Sequence, residues 1–168
     1  MTSPTATPAP AHPAPAPFIT PEALLAHWQG HRRLTRRVIE AFPEDALFQF
    51  SVGGMRPFAV LATECLGMTV PTVRGVATGE WTFEKTEPPA TRAELLRRWD
   101  AATDELDRVW AQIPPHRFQE VDVAFGQWEG PGHWIVLYVI DNEIHHRAQG
   151  YAYLRALGVE PPPFYDRS

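Results

Sequence analysis

The placement of eighteen prolines along 168 residues narrows most what this chain can fold into. Proline locks φ and has no amide hydrogen to give a helix, so it marks first turns and stops. Residues 1–17 carry it so densely that helix is forbidden and extended polyproline II is favoured. They read as a solvated arm, or as an arm laid along a neighbouring subunit, and the folded domain is expected over residues 18–168. Between the remaining prolines four helical patterns fit. The first opens at Thr20-Pro21-Glu22, an N-cap with proline at the first helical position, and carries Leu24, Trp28, His31, Leu34, Val38 and Phe42 before Pro43 ends it. The second starts near Arg56-Pro57 and carries Phe58, Leu61, Cys65 and Met68, with Pro71 expected to kink or break it before residues 72–78. The third is capped by Thr91, holds Leu95, Trp99, Ala102, Leu106, Val109 and Ile113, and stops at Pro114-Pro115. The fourth runs from Pro131-Gly132 to Leu157, with Gly158 as its C-terminal cap and residues 161–163, all proline, preventing extension.

Four helices of about twenty residues predict an all-α fold, a four-helix bundle. The alternating stretch 118–125 before the last helix reads either as a small hairpin or as an ordered loop. The fourth helix is apolar nearly all round in its first half and is expected at the centre. No apolar run reaches the roughly 18–20 residues of a membrane span, and no signal-peptide pattern opens the chain. A net charge of −5 argues against an electrostatic grip on nucleic acid or anionic lipid. The single cysteine, Cys65, excludes an internal disulfide framework, is expected as a core thiol, and fits a reducing cytoplasm.

Polar residues on apolar faces carry the functional signal, because an unpartnered buried polar group costs about 1–3 kcal/mol or more. One seam of the fourth helix reads Ile135, Val139, Asn142, His146, Gln149, Tyr153. On the second helix Glu64 falls among Leu61 and Met68 and requires a cation, a metal or a proton. The two helices are therefore expected to enclose a polar site of Glu64, Asn142 and His146. Asn142 and His146 stand one turn apart, a spacing that suits a hydrogen-bonded pair or two ligands to one ion. Without an ion, Glu64 accepts from His146, which lowers the carboxyl pKa. His31, Gln149 and His133 are candidates for a supporting layer around these three. His27 and His31, four residues apart, are either stripe-edge residues or further ligands should helix one face the same cavity. His145 lies about 100° from His146 on the wheel; it and Arg147 read as surface or dimer-contact groups, and Glu143 as a solvated or interhelical charge.

The segment Asp141-Asn-Glu-Ile-His-His146-Arg147-Ala-Gln149, followed by Tyr153-Leu154-Arg155 and Gly158, resembles the last helix of the DinB/YfiT-like superfamily, with its His-x-x-x-His-Arg-Gly-Gln stretch. The helix order and the Met55-Arg-Pro-Phe58 opening of helix two agree with it. The resemblance spans nearly the whole chain apart from the arm, and its sharp motif occupies residues 141–158. It implies a homodimeric helical bundle binding one divalent metal through three histidines. It also implies a place among thiol-dependent transferases, a maleylpyruvate isomerase, hydrolase-like enzymes and relatives without assigned activity. The three ligand positions fall here on Glu64, Asn142 and His146, and Ala148 stands where glycine is usual. A carboxylate, an amide and one imidazole are a harder, weaker set than three imidazoles. Two functions follow as expectations: metal-assisted thiol transfer or hydrolysis with Zn, Ni, Mn or Fe, or a metal-free dimeric scaffold for binding or stress response. The small-molecule ligand is left open by the sequence.

Overall fold

The computed structural model describes residues 18–83 and 85–168; the proline-rich arm, expected at residues 1–17, lies outside the described residues. The fold is mostly helical. Its elements are α1 (Pro21–Ala41), α2 (Glu44–Gln49), α3 (Phe58–Thr78), α4 (Arg92–Trp110), a short 3-10 turn (Pro115–Phe118), β1 (Val121–Ala124), β2 (Trp128–Pro131) and α5 (Gly132–Ala156). The caps act as the sequence predicts. Thr20 Oγ1 accepts from the Ala23 amide and Thr91 Oγ1 from the Glu94 amide, satisfying first-turn donors that have no helical partner. Gly79 closes α3 in the left-handed region at φ 78°, where a side chain would be strained.

Three local features differ from, or sharpen, the expectation. After Pro43 the chain makes one further short helix, α2, which buries Leu47 against α3. Helix α3 runs through Pro71 to Thr78 instead of breaking there. Pro71 removes one helical hydrogen bond, but Leu66 and Thr69 before it and Thr72, Val73 and Val76 after it are all buried, so packing holds the segment helical. The stretch before α5 is a hairpin: β1 pairs antiparallel with β2, Asp122 opposite Gly130 and Val123 opposite Glu129.

Helix α3 packs along both α4 and α5, and α1 packs along the same two helices. The interior falls into two apolar clusters. One holds Val38, Phe42, Phe58, Leu61, Leu95, Trp99 and Tyr153; the other holds Leu24, Trp28, Val73, Leu106, Val139 and Ile140. Apart from Thr63, which lies within the first cluster's stretch of α3, the buried polar residues sit between the contributions to these two clusters: His31, Arg32 and Thr35 on α1, Thr69 and Thr72 on α3, and Glu143, His146 and Arg147 on α5. Half-buried Thr103 does the same on α4. A polar layer thus crosses an otherwise oily core.

Candidate functional site

One end of that layer opens between α3 and α5. Glu64 and His146 project from the two helices toward each other, and His146 Nε2 lies 2.9 Å from Glu64 Oε1. Asn142, one turn before His146, directs its side-chain NH2 to Glu64 Oε1 at 3.4 Å and to the Met68 sulfur at 3.1 Å. The other Glu64 oxygen takes a hydrogen bond from the Arg56 guanidinium at the start of α3. Burial alone raises the Glu64 carboxyl, but hydrogen bonds from His146 and Arg56 outweigh it and hold the group below its ordinary range. Glu64 is therefore an ionised carboxylate at neutral pH. His146 is nearly enclosed, with its side chain 8% exposed against 34% for Glu64. Its Nδ1 and the Asn142 Oδ1 are buried without a hydrogen-bond partner among the described residues.

A cavity of about 580 Å³ ends on this cluster. Glu64 and Asn142 form its polar end; Met68, Thr72, Ile135 and Val139 its floor; Phe83, Phe125, Trp128, Trp134 and Tyr138 its aromatic walls. The hairpin supplies one wall at some cost in backbone strain. Phe125 has φ 53° and Gly126 φ 69°, with the Gln127 amide donating to the Ala124 carbonyl, the signs of a primed turn in which asparagine or glycine is usual. The Phe125 ring then meets Trp81, Phe83 and Trp128 edge to face, with centroids 5.3, 6.3 and 6.1 Å away. Gly130 on β2 is required for the same wall, since a Cβ there would sit 2.6 Å from the Trp134 ring.

The supporting residues expected from sequence bond elsewhere. His133 Nδ1 contacts the Phe118 carbonyl at 2.7 Å, and Gln149 pairs with His145 at 2.9 Å. His31 faces Arg147, whose guanidinium donates to His31 Nδ1 at 2.8 Å, while His31 Nε2 meets His27 Nε2 at 3.2 Å. Because Nδ1 accepts from Arg147, a neutral His31 carries its proton on Nε2 and has no second lone pair for an ion. Neither His27 nor His31 lines the cavity.

Arg147 is buried, which corrects its reading as a surface or dimer-contact group, and Glu143 is buried as an interhelical charge, not a solvated one. Glu143 accepts from Thr35 at 2.6 Å and from the Trp28 indole at 3.4 Å, and pairs with Arg32 at 3.7 Å and Arg147 at 3.9 Å. Arg32 is enclosed, donating to Thr69, Thr103 and the Trp99 carbonyl and stacking 3.7 Å above the Trp99 ring. Position on a wheel could not separate Arg147 from solvent-facing residues, because α5 is covered on two sides, by α1 and α3. Arg56 and the aromatic walls also escaped the sequence reading. The only trace of Arg56 was its place two turns ahead of Glu64 along the entry to α3. Cys65 is buried, and burial pushes its thiol well up, so it has no thiolate character.

An ion held by three protein ligands needs three lone pairs converging on one point. Here one Glu64 oxygen is held by Arg56, the other is in contact with His146 and Asn142, and Asn142 turns its NH2 to the carboxylate. Among the described residues no group of three His, Cys, Asp or Glu is placed to hold a metal ion. As arranged, the residues form a hydrogen-bonded cluster and do not fit a tripodal metal.

Long helices joined pairwise, a hairpin ahead of the last one, and a polar cluster set between α3 and α5 define a mostly helical protein with an internal site. The chain belongs to the DinB family, whose model matches residues 17–168. Its fold is similar to a DinB-like protein of Bacillus subtilis (TM-score 0.71, 20% identity, covering 85% of this chain and 96% of that one). It is also similar to a DinB-like protein of Bacillus cereus (0.70, 16%, 86% and 97%). A more distant likeness is the mycothiol-dependent maleylpyruvate isomerase (0.61, 14%, 79% and 61%). At these identities the likeness is one of fold. No curated protein matches the chain in sequence.

Proposed function

We propose that this chain is a DinB-type four-helix bundle, with α2 and the hairpin added, that binds a small organic molecule in the aromatic cavity and works without a divalent ion. The observation that carries this reading is the Arg56–Glu64–His146 cluster. It closes on itself through the 2.9 Å His146–Glu64 contact and ends a cavity of about 580 Å³, a size ordinary for small-molecule sites. The Arg56 guanidinium pairs with the half-buried Glu64 carboxylate from the open side. Glu64 and Asn142 orient the ligand's polar group and the rings bury its body. His146 holds Glu64 from the enclosed side and Arg56 from the exposed side.

A second reading is metal-assisted thiol transfer or hydrolysis at Glu64, Asn142 and His146. It is supported by the fold likeness to a mycothiol-dependent isomerase and by the unpartnered Asn142 Oδ1 and His146 Nδ1. It requires the Asn142 amide to turn over and Arg56 to leave Glu64. Elemental analysis of untagged protein from cells grown with Zn, Ni, Mn and Fe separates the two. We expect less than about one ion per ten chains. Stoichiometric metal that disappears in His146→Ala and persists in His145→Ala overturns the first reading in favour of the second. We further propose a cytoplasmic homodimer; among the described residues no helix is long and apolar enough to cross a membrane.

A further inference from the structure

We infer that the cavity selects a protonated primary amine carried on an aromatic or similarly flat apolar body. The inference rests on the cavity reading above and adds the chemical class of the ligand.

The charge balance of the lining is one-sided. Glu64 is its charged side chain, and no lysine, arginine or histidine lines it among the described residues. Two further lining residues, Asn142 beside Glu64 and Thr72 about two helical turns along α3, have a buried side-chain oxygen with no hydrogen-bond partner among the described residues. The polar end thus offers a carboxylate, with the Asn142 amide beside it. An anion finds no counter-charge there, and a neutral alcohol has one hydrogen to give. An ammonium brings a positive charge and N–H donors to the carboxylate, a charge-assisted pairing stronger than a neutral hydroxyl can make.

The walls act in the same sense. Phe83, Phe125, Trp128, Trp134 and Tyr138 present π-systems whose faces are negative, and such rings attract a cation as well as burying hydrocarbon. The chain accepts a left-handed phenylalanine at 125 and a glycine at 130 to place two of these rings. Arg56 already pairs with Glu64, but its side chain is 51% exposed, and half-exposed ion pairs contribute little net stability. An entering ammonium can share or take the carboxylate at small cost.

The test is calorimetric titration of the native protein near neutral pH with three probes of equal size: 2-phenylethylammonium, 2-phenylethanol and phenylacetate. We expect the ammonium to bind about tenfold tighter than the alcohol, and phenylacetate to bind most weakly. Glu64→Gln should erase the preference for ammonium over alcohol. Thermal unfolding of that variant confirms that it is folded, and Asn142→Ala, which keeps the carboxylate, should weaken the ammonium while preserving its preference. If alcohol or phenylacetate binds as tightly as the ammonium, or if Glu64→Gln leaves the preference intact, the amine inference falls and the cavity reading stands. If none of the three binds, both fall.

Discussion

His31 shows what the polar layer costs a single residue. It is buried beside two guanidinium groups, and burial first, then Arg147 and Arg167, depress its pKa to about 3 from the ordinary 6.5. A histidine depressed in the folded state binds its proton more readily in the unfolded chain. Its contribution to stability is therefore fully present above about pH 6.5 and is lost as pH falls toward 3. Between about pH 7 and about pH 4.5 the loss attributable to His31 is on the order of 2–3 kcal/mol. In His31→Gln, which still offers Arg147 an acceptor, the unfolding free energy from urea titration should fall less over that interval by this amount. Equal pH dependence in variant and wild type would show that His31 is not held neutral. None of this was legible from the residue alone: His31 sits on the predicted apolar stripe of α1, but its partner Arg147 lies 116 residues away and read as a surface group.

At the scale of elements, the helices declared themselves through caps and periodic stripes, and the hairpin through alternation that was equally compatible with a loop. What distinguishes hairpin from loop is its packing. Phe125 takes a left-handed backbone because its ring is held among Trp81, Phe83 and Trp128. The left-handed region costs an L-residue roughly 1–2 kcal/mol. Phe125→Gly removes a ring that touches three others, yet relief of the backbone should keep the net destabilisation near 1 kcal/mol, against about 3–5 kcal/mol for deleting a buried phenylalanine elsewhere. Denaturant unfolding measures the difference, and a loss at the level of Phe58→Ala, whose ring is 1% exposed, would refute the strain argument. The passage of α3 through Pro71 teaches a similar lesson. A local rule placed a kink or a break there, and contacts with α4 and α5 kept the helix continuous.

At the scale of the molecule, the outer face of α5 groups three large apolar side chains left exposed among the described residues. Trp134, Leu137 and Tyr138 are 47%, 38% and 52% exposed on a helix whose other sides are packed. A second copy laid along this face would bury them and cover the mouth of the cavity that Trp134 and Tyr138 line. Light scattering at micromolar concentration should give twice the chain mass, and Leu137→Glu should return it to one; a wild-type monomer removes the dimer from the account. By itself the sequence determined the number and the starts of the long helices, because proline, capping side chains and apolar periodicity act over a few residues. It also determined that an acid, an amide and an imidazole share the inward faces of two of those helices. Only the tertiary structure decided that Arg56 closes on Glu64, that Arg32, Glu143 and Arg147 form a buried ionic layer, and that the hairpin walls a cavity. Those arrangements depend on which helix faces which, and that follows from long-range packing that no local pattern encodes.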